Sequence, residues 1–282
     1  TRFLLKLEQF ARARALADSL LAAWPRSGPH EAVHLAGLAA LTGRVHRAAD
    51  LLGQTAPLDT FLTSEGRRVA PPLPVAQAAL ALLGYAALGA PVDSLKTLER
   101  RVERLVDSWV APERRALVRE AVLHVPLTLA FPQLGPRPVH RSRAGGNYLL
   151  AMQRALVEGD TAAVRARFAR VREIRAAIRP GDVAIHGTYH EAWLLLAVGD
   201  SAAATETLDY PLNALPTLGT YLLEQVPQAG ALVRCMVLRA ELAARAGDRA
   251  TAARWARAVV ALWSGADAEL QPLVAEMRAL AG

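Results

Sequence analysis

The feature that most constrains this 282-residue chain is a turn that recurs five times. An apolar run ends on glycine, a small or apolar residue follows five positions later, and an apolar residue follows four positions after that. Gly43 leads to Ala48 and Leu52, Gly89 to Ser94 and Leu98, and Gly159 to Val164 and Phe168. Gly199 leads to Ala204 and Leu208, and Gly247 to Ala252 and Ala256. Three of these glycines are followed directly by aspartate, at Asp160, Asp200 and Asp248. Glycine stops a helix because it adopts positive φ just past the last helical residue. Aspartate one residue on can cap the next helix, whose first N–H groups otherwise lack partners. The small residues mark where two antiparallel helices pass closest, and Ala36, Ala192 and Ala240 supply the matching position seven residues before their glycines. The pattern predicts a string of helix pairs.

Composition agrees with an all-α chain. Hydrophobic residues make up 52% of the sequence, enough to bury a large core. Aromatics are only 5%, and the abundant alanine favours helices packed closely through small side chains. Runs of β-branched and aromatic residues of the kind that form strands are nearly absent.

The order of residues resembles the tetratricopeptide repeat: a small residue, an apolar or tyrosine residue (Tyr85, Leu195), the turn glycine, an alanine, then Phe or Leu. Residues 29–62 form the best unit, with Ala36, Ala39, Gly43, Ala48 and Leu52 in register, and residues 185–218 add the repeat-closing Pro216. The characteristic tryptophan near the start of a unit is missing, and Glu191 and Arg239 stand at sites that are apolar in the family. The glycines lie 46, 70, 40 and 48 residues apart, all more than the family period of about 34 residues. The resemblance covers roughly two-thirds of the chain and implies a right-handed α-solenoid of antiparallel helix pairs with inserted loops and extra helices. It is also similar in texture to repeat regions that follow kinase or winged-helix domains in large bacterial signalling proteins.

Segments outside the units fit this organisation. Residues 113–130 predict an extra helix. Residues 131–146, FPQLGPRPVHRSRAGG, are the clearest loop, dividing an N-terminal half (1–130) from a C-terminal half (147–282). Residues 54–74 form a second long connection, and residues 209–230 a third with a short helix around Tyr221 to Gln225. Residues 69–92 carry no charge. Pro71, Pro72 and Pro74 interrupt them, leaving about 16 helical residues where a membrane span needs about 20. A buried core helix is the expectation. The start at Thr-Arg-Phe within a helical pattern, without methionine or a signal peptide, reads as a piece of a longer polypeptide.

The net charge of +7 invites a nucleic-acid or anionic-lipid partner. However, the basic residues are nearly all arginine, with only Lys6 and Lys96 as lysines, and they alternate with acids, as in Glu99-Arg100-Arg101-Val102-Glu103-Arg104. That alternation predicts a solvated helix face, and no stacking aromatics are interleaved with it. Arg137, His140, Arg141 and Arg143 make a small basic loop. The single cysteine, Cys235, sits among Leu232, Met236 and Leu238 as a buried small hydrophobe and excludes an intrachain disulfide.

Two clusters could carry chemistry. His30-Glu31-Ala32-Val33-His34 matches HExxH, in which His30 and His34 share a helix face suited to zinc and Glu31 would be the general base. Ala40 stands where the longer form of that motif requires a third histidine, and the motif opens a helix directly after Ser27-Gly28-Pro29. The second cluster is His186, Tyr189, His190 and Trp193, at positions two, five, six and nine of the first helix of its unit. In the repeat these positions face the concave groove, where aromatic and imidazole groups give contact area and hydrogen bonds. The same register places Ala76, Ala79, Leu80 and Leu83, then Leu149, Leu150 and Gln153, then Arg234 and Glu241, along the groove. No Walker loop, dinucleotide fingerprint or GxSxG elbow is present, so no cofactor is implied.

The expectation is a non-catalytic scaffold that binds a protein or peptide through its groove at His186, Tyr189, His190 and Trp193. Its setting would be cytoplasmic, or periplasmic if a parent protein is membrane-anchored. The competing functions are a zinc hydrolase at His30, Glu31 and His34, and basic-surface binding to nucleic acid or lipid.

Overall fold

The computed structural model describes residues 2–6, 8–24, 28–56, 61–134, 147–179, 182–217 and 226–282. These residues are helical almost throughout. In the N-terminal part lie α1 (Arg2–Lys6), α2 (Phe10–Ala23), α3 (Pro29–Leu41), α4 (Val45–Thr55), α5 (Leu73–Leu88) and α6 (Val92–Trp109). A broken helix follows, comprising α7 (Arg115–Arg119), a π-helical turn (Glu120–His124) and α8 (Val125–Ala130). The C-terminal part contains α9 (Tyr148–Val157), α10 (Thr161–Ala176), α11 (Ile185–Ala197), α12 (Ser201–Leu212), α13 (Val226–Arg245), α14 (Arg249–Trp263) and α15 (Gln271–Leu280). Two short strands, β1 (Phe61–Leu62) and β2 (Arg68–Val69), pair antiparallel within the connection from α4 to α5.

The five recurrent glycines end five helices in the same way. Each has φ between 72° and 81°. Each donates its N–H to the carbonyl three residues back, and the next residue donates to the carbonyl five back, as in Gly43 to Ala40 and Arg44 to Ala39. This is the Schellman stop, which satisfies carbonyls that a helix end leaves open. Asp160, Asp200 and Asp248 then cap α10, α12 and α14 by accepting the N–H groups of Ala163, Ala203 and Thr251 at 2.9–3.0 Å. Ala36, Ala48, Ala192, Ala204 and Ala240 are wholly buried where consecutive helices meet.

α5 occupies the uncharged stretch, with Pro72 as its N-cap and Pro74 in its first turn, where a missing N–H leaves no gap in the hydrogen-bond ladder. No described helix is long and apolar enough to cross a membrane. The helix expected at 113–130 forms with a π turn directly before Pro126, where widening relieves the clash of the proline ring with the preceding turn. That turn buries Glu120, which accepts from the backbone N–H and hydroxyl of Ser64 and so fastens the β1–β2 connection. Residues 135–146, including Arg137, His140, Arg141 and Arg143, lie outside the described residues, as does the short helix expected around Tyr221 to Gln225.

Both charged departures from the repeat pattern are ion-paired across neighbouring helices. Glu191 of α11 is fully buried and holds Arg175 of α10 and the Tyr148 hydroxyl of α9. Arg239 of α13 makes a two-pronged pair with Asp209 of α12, at 2.7 and 3.2 Å. A buried carboxylate with one cation and one hydroxyl donor is compensated, whereas removing either partner would strand it.

The ends of the chain come together. α13 packs not only on α11, α12 and α14 but also on α3 and α5, and α14 packs on α2. Trp263 is buried against the Gly43 turn and donates its indole N–H to the Leu41 carbonyl at 3.2 Å. Asp267 reinforces the seam by donating its N–H to Gly43 and accepting from that of His46. Residues from both halves share one continuous hydrophobic core.

Candidate binding site between the halves

α13 carries the centre of the site. Arg234 is only 6% exposed, and the one carboxylate of its own helix, Glu241, pairs instead with Arg245. Its Nη1 donates to the Ala130 carbonyl at 2.7 Å and to the Ala86 carbonyl at 3.1 Å, at the last turns of α8 and α5. Unpaired carbonyls make a helix C-terminus the negative end of its dipole, so two helix ends converge on this cation. The guanidinium also lies over the Tyr189 ring at 4.0 Å and near the Phe131 ring at 5.2 Å, which favours a desolvated charge. Nε and Nη2 make no hydrogen bond among the described residues, and Nε packs beside Gly89.

A cavity opens on each side of the Arg234–Tyr189 pair. One, of about 220 Å³, is walled by Leu83 and Ala87 of α5, Leu129 of α8, Ala231 of α13 and His186 of α11. The other, of about 340 Å³, is bounded by Phe131, Gln133, Trp193, Leu238 and Glu241. The Gln133 side-chain amide donates to the Tyr189 hydroxyl at 2.6 Å, fixing the ring that divides the two spaces. Burial raises the Glu241 carboxyl above its ordinary value, with Arg245 opposing.

Of the four residues expected on the groove, Tyr189 and His190 are buried, while His186 and Trp193 are half-buried and reach the cavities. These positions are covered by the chain itself, since α8 and α13 pack against α11. His190 lies behind the cavity walls, and neither of its ring nitrogens makes a well-formed hydrogen bond. Burial holds its imidazole far below the ordinary value, at about 3; Arg234 adds to this and the Leu129 backbone opposes it. Burial also lowers His186, against the partial support of Gln228. The Gln228 side-chain carbonyl accepts from the N–H groups of Ile185 and His186, capping α11 from α13.

Other register positions converge on the same place. Leu83 of α5, Arg234 and Glu241 line the cavities together with His186, Tyr189 and Trp193. Sequence reasoning missed Phe131, Gln133 and Leu129, which lie outside the repeat register; only their position beside the FPQ loop start pointed to them. Cys235 is wholly buried on α13, and burial pushes its thiol well above the ordinary range.

His30, Glu31 and His34 are exposed on the first turns of α3, on no cavity wall described above. Glu31 folds back over the Gly28 N-cap, where an added Cβ would sit 2.8 Å from its carboxylate. Among the described residues no three metal-capable side chains converge. On α10 the arginine face is partly neutralised by pairs to Glu173, Glu206 and Glu191. Comparisons with protein-family models, curated proteins and solved structures find no match.

Proposed function

We propose that this chain is a binding module of tetratricopeptide-like helix pairs that takes its ligand or partner where its two halves meet. The observation that carries this is the guanidinium of Arg234, which is buried at the junction of two cavities with one edge left unbonded. Aromatic and imidazole side chains flank it on a rigid support of four helices. Concave, largely apolar spaces with a few placed polar groups are the usual form of a recognition site. The repeat reading is supported by the five Schellman turns and the three aspartate caps. In this reading the groove of the solenoid is closed by the chain's own α13. A protein or peptide partner therefore engages by inserting a side chain, not by lying along an open channel.

The test uses the chain as bait in native lysate of its source, with mass spectrometry of retained proteins and small molecules. A Tyr189→Ala, Trp193→Ala double variant, checked for helicity, runs beside it. Capture by the wild type and loss in the folded variant are expected. Identical retention by both would remove the site from consideration.

A further inference from the structure

We propose that the junction of α8, α11 and α13 is an acid-sensitive catch, held shut while His186 and His190 are neutral and released when they take up protons. The inference concerns an opening of the fold and stands whether or not a partner binds there.

The two histidines lie one turn apart on α11, where α8 and α13 cover it. His190 is wholly buried with neither ring nitrogen in a well-formed hydrogen bond, and Nδ1 of His186 is buried without a partner. A neutral ring is tolerated in such a place, whereas a proton on it is a charge taken from water without compensation. The neighbouring cation makes this worse, since Arg234 of α13 acts against a proton on His190, as does His186 once charged.

The packed elements offer no free counter-charge among the described residues. α8 and the turn Pro132–Leu134 carry no ionisable side chain. On α13 the Cys235 thiol is held neutral by burial, Glu241 pairs with Arg245, and Arg239 pairs with Asp209 of α12. α12 also brings Glu206, which lies 3.8 Å from Arg172, and Tyr210, whose hydroxyl meets the Arg175 and Ile178 carbonyls. Glu191 of α11 is engaged by Arg175 of α10 and Tyr148 of α9, and the remaining ionisable group of α9, Arg154, is a further cation.

The cover over these rings is also suited to opening by itself. Cavities of about 220 and 340 Å³ flank Tyr189, so the junction forgoes contacts that a filled core would make. α8 has six residues and follows a π turn, and the Leu129 backbone beside His190 belongs to it. Its end is fastened by polar contacts, from Arg234 to the Ala130 carbonyl, from Gln153 to the Pro132 carbonyl and from Gln133 to the Tyr189 hydroxyl. Water can replace these bonds once the segment lifts. The open form binds protons below about pH 6.5 that the closed form refuses, so opening increases as pH falls. For His190, held at about 3 when closed, the opening constant rises about 25-fold from pH 7 to pH 5, and His186 adds to this.

Amide hydrogen exchange of the whole chain, read by mass spectrometry at pH 7 and pH 5, tests the catch. Rates are corrected for the intrinsic pH dependence of exchange and measured across urea concentrations below the unfolding transition. Amides of α8 and α11 should exchange through an opening with a shallower urea dependence than global unfolding. Their protection should fall about 25-fold or more between the two pH values. In His190→Asn, whose side chain takes up no proton, the fall should shrink to the part that His186 contributes, and His190→Leu serves where that variant does not fold. A urea dependence equal to that of global unfolding, or protection unchanged between pH 7 and pH 5, would overturn the proposal on the wild type alone. An undiminished fall in a folded His190 variant would overturn it as well.

Discussion

The imidazole of His190 shows what the junction demands of single residues. It is wholly buried, and desolvation holds it at about 3, so the folded protein excludes a proton that the unfolded chain binds below about 6.5. Stability from this group is therefore complete above about pH 6.5 and is lost as pH falls towards 3. The slope approaches about 1.4 kcal/mol per pH unit within that window. His186 is shifted in the same direction and adds to the trend. Urea denaturation between pH 7 and pH 4.5 should show wild-type stability falling more steeply than that of His190→Leu, whose apolar side chain suits the site. Equal slopes would mean that His190 is not buried neutral. The register positions of Tyr189 and Trp193 on α11, and of Arg234 on α13, were legible in sequence. Their burial was not, because it depends on helices more than a hundred residues away in sequence, such as α5 against α13.

At the scale of elements, turns and caps were legible and long-range packing was not. Glycine at a positive-φ stop and aspartate at an N-cap act through bonds to residues a few positions away, so the sequence pattern carries them directly. The 16-residue length of α5 likewise follows from the prolines before it and Gly89 after it. The π turn ahead of Pro126 and the capping of α11 by Gln228 depend on partners that local patterning does not reveal. α13 and α5 approach closely, so that a Cβ on Gly230 would come 2.6 Å from the Ala87 carbonyl oxygen. Since that neighbour is backbone, accommodating a methyl group requires the helices to separate. Gly230→Ala should therefore destabilise the protein by about 1–3 kcal/mol despite alanine's better helix propensity. A neutral or stabilising result in thermal unfolding would show that α13 does not sit this close to α5.

For the whole molecule, the decisive property is that the last helix pair returns to the first. α14 meets α2, Trp263 seats on the Gly43 turn, and α13 packs on α3 and α5. The two cavities lie at this meeting of helices, and both are lined by Arg234. Closure also makes the two halves depend on one another, since each covers apolar surface of the other. The most direct test is small-angle X-ray scattering over a concentration series. A closed chain of 282 residues should give a radius of gyration close to the ~19 Å of a compact domain, with a single symmetric distance distribution. A markedly larger radius with an elongated distribution, unchanged on dilution, would show an open array and contradict the closed junction on which the binding site depends.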